Sequence, residues 1–168
     1  WRVQVPGHPD EVRDLLADAF HHEESTYVRL STQSNRVARP GVVNGALQVV
    51  RDGGGPVVIA VGPMLDRTLE ATAGLDVAVA YTTTVRPLDA EGLRSLAVDG
   101  DVVLVEPYLS GTSSRYVDEA LSDRPHRTLS LGVERVELRR YGTPADHDEL
   151  YGLDAAGLRR SITSFVAG

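Results

Sequence analysis

The sequence contains no cysteine, and this absence removes several kinds of chemistry at once. Disulfides, thiolate nucleophiles, cysteine-ligated zinc and iron–sulfur clusters are all excluded. Long apolar runs are missing too, because the longest, Val57–Val61, is far shorter than the roughly 20 residues that span a bilayer. The N-terminal stretch beginning Trp1-Arg2-Val3 has no apolar signal segment. We therefore expect a cytoplasmic protein without a membrane partner.

Concentrated positive charge is also lacking. The 168 residues carry a net charge of −7, and their basic residues are scattered along the chain. Two arginine pairs, Arg139-Arg140 and Arg159-Arg160, are too short to form basic tracts, and we predict that they lie at solvated ends of helices or strands. Nucleic-acid binding requires a clustered basic face, so we do not expect nucleic acid as a partner.

From Pro56 onwards the sequence alternates regularly between strand and helix patterns. Near-continuous apolar runs at 57–61, 77–80 and 102–105 predict strands that are covered on both faces. Two further strands are predicted at 47–51 and 128–133. The predicted helices lie near residues 64–73, 90–97, 113–121 and 155–166. This order predicts an α/β fold of three layers (α/β/α) around a mostly parallel, mixed five-stranded sheet.

The first 30 residues follow a separate strand–helix–strand pattern. A short strand begins at Arg2, a helix opens at Pro9, and a second strand runs over Tyr27–Leu30. Such a unit is too small to bury both faces of its strands, so it is expected to be the tail of a larger α/β domain. The polar stretch Ser31–Pro40 that follows is the predicted linker.

Five phrases occur in an order that points to a family. They are Tyr27-Val28-Arg29-Leu30-Ser31, Ile59-Ala60-Val61-Gly62-Pro63-Met64, Arg86-Pro87-Leu88-Asp89, Val103-Leu104-Val105-Glu106, and Tyr141-Gly142 followed by Leu150-Tyr151-Gly152-Leu153. In this order the phrases resemble the C-terminal region of transketolase and its thiamine-diphosphate-dependent relatives. The resemblance implies that residues 1–35 are the end of a pyrimidine-binding domain and the start of a linker. It implies a linker and first strand at 36–55, and the transketolase-like C-terminal domain at 56–168.

The resemblance also implies a function for the larger enzyme. That enzyme would transfer two-carbon ketol units between sugar phosphates, while this part would have an architectural and dimer-assembly role and no complete active site. Thiamine diphosphate and Mg²⁺ are implied for the complete enzyme and none for this chain, because the family's metal motif and catalytic glutamate have no counterpart here. The implied partners are the remaining transketolase domains or subunit, in a homodimer or a heterotetramer.

Two alternatives stay open at this point. The same fold is compatible with a non-catalytic interaction or anion-binding module. The region is also shared by the beta subunit of 2-oxoacid dehydrogenases and by deoxyxylulose-phosphate synthase, so the reaction of the complete enzyme is not fixed by the phrases alone.

Only Arg29 and Ser31 are candidate substrate-binding residues. Ser31 lies in Leu30-Ser31-Thr32-Gln33, which is similar to the Leu-Ser-Arg-Gln of transketolases that handle sugar phosphates, with Thr32 at the arginine position. Arg29 is expected either to contact an anionic substrate or to anchor the linker through a carboxylate. Glu106 ends a strand where open α/β sheets bind ligands, but we favour an arginine partner across a subunit contact.

Three other polar groupings are expected to be structural. Asp99-Gly100-Asp101 precedes a strand and is predicted to be a turn rather than a metal motif. The Gly111–Ser114 segment is predicted to cap a helix rather than to cradle a phosphate. Residues Asp146–Glu149 are predicted to lie in a solvated loop over 142–151, because four adjacent residues cannot converge on a metal without further ligands.

Overall fold

The computed structural model describes residues 1–136 and 141–168. Eight strands are present in this part of the chain: Arg2–Gln4 (β1), Thr26–Val28 (β2), Gln48–Arg51 (β3), Val57–Val61 (β4), Ala78–Thr82 (β5), Thr84–Arg86 (β6), Asp101–Leu109 (β7) and Arg127–Val133 (β8). The α-helices are Pro9–Ala19 (α1), Leu65–Ala71 (α2), Ala90–Leu96 (α3), Ser114–Ala120 (α4), Pro144–Leu150 (α5) and Ala155–Ala167 (α6). Short 3-10 turns cover Val42–Asn44 and Gly62–Met64.

The larger sheet confirms the predicted architecture. Its five strands lie in the order β3-β5-β4-β7-β8, with β3 antiparallel to β5 and the other neighbours parallel. Alternate side chains of β4 point to opposite faces: Val58 packs with α2 and α6, whereas Ile59 packs with α3 and α4. Because both faces are covered, the central strands carry near-continuous apolar runs, with few polar residues such as Glu106 in β7.

A second sheet contains the N-terminal strands. Its order is β2-β1-β6, with β1 parallel to β2 and antiparallel to β6. The predicted strand–helix–strand unit is therefore present, but it is completed by a strand from the later part of the chain. Helix α1 begins after His8, whose Nδ1 accepts a hydrogen bond from the Asp10 N–H at 3.1 Å. The proposed domain boundaries at 35 and 55 stay a prediction.

The prediction of a loop over 142–151 is wrong for most of that segment, because α5 occupies Pro144–Leu150. Thr143 and Asp146 form a reciprocal capping box: the Thr143 N–H donates to Asp146 Oδ2 at 2.7 Å, and the Asp146 N–H donates to Thr143 Oγ1 at 3.3 Å. Pro144 occupies the first helical turn, where a missing N–H costs nothing. Local capping rather than an apolar stripe therefore defines this helix.

Three smaller expectations also meet the structure. The predicted helix near 155–166 is present as α6, and Asp154 caps it, because its Oδ1 accepts the Gly157 N–H at 3.0 Å. Arg159 donates to the carbonyl oxygens of Ala71 and Ala73, so it binds the C-terminal end of α2 rather than only solvent. The pair Arg139-Arg140 lies outside the described residues.

No helix in the described ranges is long and apolar enough to cross a membrane.

A buried carboxylate joins the two sheets. Glu11 on α1 is 1% exposed, and its Oε2 accepts the Gly7 N–H at 2.7 Å and the Tyr81 hydroxyl at 2.6 Å. Its Oε1 accepts the Arg39 N–H at 2.8 Å. One side chain thus holds the loop after β1, the linker and the C-terminal end of β5.

Asn35 makes a second connection between the same regions. Its N–H donates to the Gly7 carbonyl at 2.7 Å and its Nδ2 donates to the Gly62 carbonyl at 3.0 Å. A Cβ on Gly7 would lie 2.3 Å from Asn35 Nδ2 and 2.6 Å from the Tyr81 hydroxyl, so only glycine fits there. The linker is consequently held at its middle by Asn35 and near its C-terminal end by Arg39.

Substitution of Glu11 tests how much this connection contributes to stability. Glu11→Ala leaves the Gly7 and Arg39 amides and the Tyr81 hydroxyl without their buried acceptor, so we expect the free energy of unfolding to fall by about 3–5 kcal/mol. Urea denaturation measures the change. Asp14→Ala, on the exposed side of the same helix, is the matched control and should change stability by no more than about 0.5 kcal/mol. Equal effects of the two substitutions would contradict this role of Glu11.

Candidate functional site

The topological switch point of the larger sheet is filled by the chain itself. The chain crosses from β4 to β5 on one side and later adds β7 on the other, so the switch lies between the carboxyl ends of β4 and β7. Ligands of open α/β sheets bind in this crevice. Here Gly62, with φ +53°, lies so close to β1 that an added Cβ would sit 2.6 Å from the Val5 carbonyl oxygen. Val5 packs there with Val61 and Val85, and the crevice serves the contact between the two sheets.

Glu106 lies in β7 beside this crevice and is completely buried. Its Oε1 accepts the Ser113 N–H at 3.1 Å, while its Oε2 has no hydrogen-bond partner among the described residues. Burial raises the pKa of the Glu106 carboxyl, and hydrogen bonds from Ser113 oppose that shift only in part. The depth of the side chain argues against the favoured prediction of an arginine partner across a subunit contact.

Arg29 lies at the edge of a cavity formed where the second sheet meets the β7–α4 loop. Its N–H donates to the Gln4 carbonyl at 2.8 Å, which places the residue immediately after β2. The guanidinium lies 5.6 Å from the centre of the Tyr108 ring. Arg29 forms no ion pair with any described carboxylate, so the alternative in which it anchors the linker through a carboxylate is not supported.

Ser31 has a different environment from Arg29. Its side chain is exposed, and its Oγ accepts the Gln33 N–H at 3.0 Å in a local turn. Ser31 does not line the cavity beside Arg29. The structure therefore does not bring the two predicted substrate-binding residues together, and their role in binding stays a prediction.

The Asp146–Glu149 segment connects the linker to the rest of the chain. Asp148 Oδ2 accepts a hydrogen bond from Gln33 Nε2 at 2.7 Å and pairs with Arg67 Nη1 at 2.8 Å. Asp146 is occupied by the capping box with Thr143, whose hydrogen bonds lower the pKa of the Asp146 carboxyl. These two acids have structural partners, which agrees with the choice of a structural role over a metal site.

The described residues do not fit thiamine diphosphate and its metal. Among residues 1–136 and 141–168, no group of three or more histidine and acidic side chains could hold a metal ion. Asp101 of the superficially similar Asp99-Gly100-Asp101 turn is bound by Arg127 through two hydrogen bonds. The crevice at the switch point is filled by Val5–Gly7.

Sequence reasoning missed the residues that organise the site. The missed residues are Gly7, Glu11, Asn35, Tyr81, Tyr108 and Ser113. One signal was available for Glu11, since it stands three residues after the capping residue His8, at the position where a glutamate commonly binds back to a preceding N–H. Ser113 was expected to cap α4, but its hydroxyl instead pairs with the Tyr108 hydroxyl at 3.0 Å.

The raised pKa of Glu106 predicts a pH-dependent stability difference. A carboxyl whose folded pKa lies above its ordinary value of 4.5 binds protons more tightly when folded, so it favours folding at low pH and loses that contribution as pH rises through the folded pKa. Glu106→Gln keeps the acceptor for Ser113 and removes the ionisation. The variant should therefore gain stability relative to wild type as the pH rises from about 5 towards about 7.

Urea denaturation across this pH range measures that difference. Glu119→Gln, at an exposed position on the neighbouring helix α4, controls for the loss of one carboxylate. A difference between Glu106→Gln and wild type that is constant with pH, or that shrinks as pH rises, would contradict the assignment.

Comparison with known proteins identifies sequence relatives of this chain. No protein-family model matches the sequence. The chain is 50% identical over 171 residues to an uncharacterized 33.6 kDa protein in the fasciation locus of Rhodococcoides fascians, covering 99% of this chain and 54% of that protein. It is 34% identical over 175 residues to the 1-deoxy-D-xylulose-5-phosphate synthase of Cupriavidus metallidurans, covering 95% of this chain and 27% of the synthase. The chain thus spans about half the length of the first relative and about a quarter of the length of the second.

Solved structures agree with the sequence relatives. A split-gene transketolase, described as an inactive beta4 tetramer, superposes with a TM-score of 0.83 at 25% identity, over 99% of this chain and 57% of that one. The transketolase from Leishmania mexicana superposes with a TM-score of 0.71 at 16% identity, over 99% of this chain and 25% of the enzyme. The predicted resemblance is confirmed: this chain has the fold of the C-terminal region of transketolases, and its sequence relatives include deoxyxylulose-phosphate synthases.

Proposed function

We propose that this chain is the C-terminal part of a thiamine-diphosphate-dependent, transketolase-like enzyme and has an architectural role in it. The likeness to a split-gene transketolase and the identity with deoxyxylulose-phosphate synthases support the proposal. Two-carbon ketol transfer between sugar phosphates is the proposed reaction of the complete enzyme, in the cytoplasm. The sequence relatives favour deoxyxylulose-phosphate synthesis as the second candidate reaction, because they include several such synthases at 30–34% identity.

One observation carries the proposal: the smaller sheet has three strands and an open edge at β2. Strand β2 has a paired neighbour on one side only within the described residues, so its other edge presents free backbone N–H and C=O groups. Leu16 on helix α1 and Phe20, one turn later at its C-terminal end, are exposed, and Phe20 is 88% exposed. Trp1 before β1 and Leu30 after β2 are also largely exposed. An open strand edge and several exposed apolar side chains in one unit are features of an interaction surface.

We assign this surface to the remainder of the pyrimidine-binding domain. The relatives are longer than this chain, so they contain further segments that pack somewhere on the shared fold. Additional strands on the outer edge of β2 would complete its hydrogen bonding, and helices of the same domain would cover Leu16 and Phe20. The proposed assembly is a homodimer of complete chains or a heterotetramer with a separate subunit. The split-gene transketolase, described as a tetramer of one subunit that is inactive, supports a non-catalytic role for an isolated part.

Reconstitution tests the proposed function. The chain is mixed with a polypeptide that contains the missing diphosphate-binding and pyrimidine-binding segments, together with thiamine diphosphate and Mg²⁺, and ketol transfer and deoxyxylulose-phosphate synthesis are both assayed. We expect one of these activities in the mixture and none with the chain alone. If the two polypeptides neither associate in size-exclusion chromatography nor show activity, the non-catalytic module of the same fold becomes the better description.

Substitution of Phe20 tests the docking surface directly. Phe20→Asp places a charge in the apolar patch while leaving the core of this chain untouched, so we expect it to weaken association with the missing segments by about tenfold or more. Val98→Asp is the matched control, because Val98 is 76% exposed in the turn between α3 and β7. Titration by calorimetry or light scattering gives both affinities. An equal effect of the two substitutions on affinity would contradict the proposal that this surface binds the missing segments.

A further inference from the structure

The cavity beside Arg29 has an unusual combination of charge and apolar surface. It encloses about 260 Å³ between the second sheet and the β7–α4 loop. Three valines, Val3, Val5 and Val85, form its apolar floor. Two arginines, Arg29 and Arg86, line it together with tyrosine side chains, and no carboxylate occurs among the described residues that line it.

Several described arginines form ion pairs with aspartates, but the two arginines of this cavity do not. The chain is acidic, with 24 acidic against 17 basic residues, so acidic side chains are plentiful on its surface. Examples of the ion pairs are Arg2 with Asp18, Arg94 with Asp123 and Arg127 with Asp101. Neither Arg29 nor Arg86 forms an ion pair with a described residue. Two guanidiniums that line one cavity with no carboxylate in its described lining favour an anion from outside the chain.

Aromatic side chains form the walls of the cavity. Tyr27, Tyr108 and Tyr116 line it, and the Arg29 guanidinium lies over the Tyr108 ring. The hydroxyl of Tyr108 is fixed by that of Ser113 at 3.0 Å, and the Ser113 N–H is bound to the buried Glu106. The aromatic wall is therefore held in place from behind. Flat rings stack favourably on such walls, in offset or edge-to-face arrangements.

The size of the cavity limits the ligand. Pockets for drug-sized ligands enclose roughly 300–1000 Å³, so this one fits a molecule of about one ring. We propose that this cavity binds a small organic anion, consisting of a single apolar ring that carries a phosphate or carboxylate group. The ring lies on the valine floor between the tyrosines, and the anionic group binds Arg29 and Arg86. This site is separate from the architectural role proposed above and does not depend on it.

Ligand titration followed by NMR amide shifts tests the site on the full 168-residue chain. The probes are phenyl phosphate and benzoate, with inorganic phosphate and phenol as the two half-ligands. We expect saturable binding of phenyl phosphate or benzoate at millimolar concentration or below, with shifts at Val3, Val5 and Val85. Each half-ligand should bind at least about tenfold more weakly. The difference between phenyl phosphate and benzoate shows which anionic group the site prefers.

Arginine variants locate the anionic end of the ligand. Arg29→Met and Arg86→Met keep the aliphatic stem and remove the charge, and each should weaken binding about tenfold or more. Arg13→Met, on the exposed face of α1, is the control and should bind as wild type does. Amide spectra of the variants without ligand are recorded to check that each variant is folded. Three results would overturn the proposal: no saturable binding, inorganic phosphate binding as tightly as phenyl phosphate, or wild-type affinity in both cavity variants.

Discussion

The carboxylate of Glu11 is the constraint on which the arrangement of this protein depends. It is buried, and isolated buried charges are strongly disfavoured unless their hydrogen-bonding capacity is filled. Here three donors from separate parts of the chain, the amides of Gly7 and Arg39 and the hydroxyl of Tyr81, converge on two oxygens. Because both burial and the bond to Glu11 raise the pKa of Tyr81, that phenol stays protonated and keeps donating.

This convergence determines how the fold uses its switch point. Holding Gly7 against Tyr81 requires the strand before Gly7 to cross the carboxyl ends of β4 and β7, and Val5 then fills the crevice that open α/β sheets normally offer to a ligand. Gly62 is needed in the same place, because its positive φ and the nearness of the Val5 carbonyl exclude any side chain. The position where open α/β sheets usually bind ligands is therefore occupied by the contact between the two sheets, and this supports the proposed architectural role.

Most strands and helices could be predicted from the sequence, because the patterns that indicate them involve neighbouring residues only. The apolar runs of β4, β5 and β7 and the caps of α3 and α6 lie within a few neighbouring residues. The Glu11 network could not be predicted in the same way, since its donors are 4, 28 and 70 residues away along the chain. Helix α5 was missed for a different reason: the Thr143–Asp146 capping box was readable, but it lacks the apolar spacing that was used to find helices.

In the candidate site, too, the contacts between residues distant in sequence could not be predicted from local patterns. Arg29 and Ser31 are two residues apart, and a continuing strand would place both on one face. Strand β2 ends at Val28, however, and Ser31 turns back onto its own Gln33, so the alternation does not reach it. Arg29 alone remains tied to β1, through the bond from its N–H to the Gln4 carbonyl. Its guanidinium consequently meets Tyr108, which no local pattern connects with it, and the cavity there is a product of the tertiary fold.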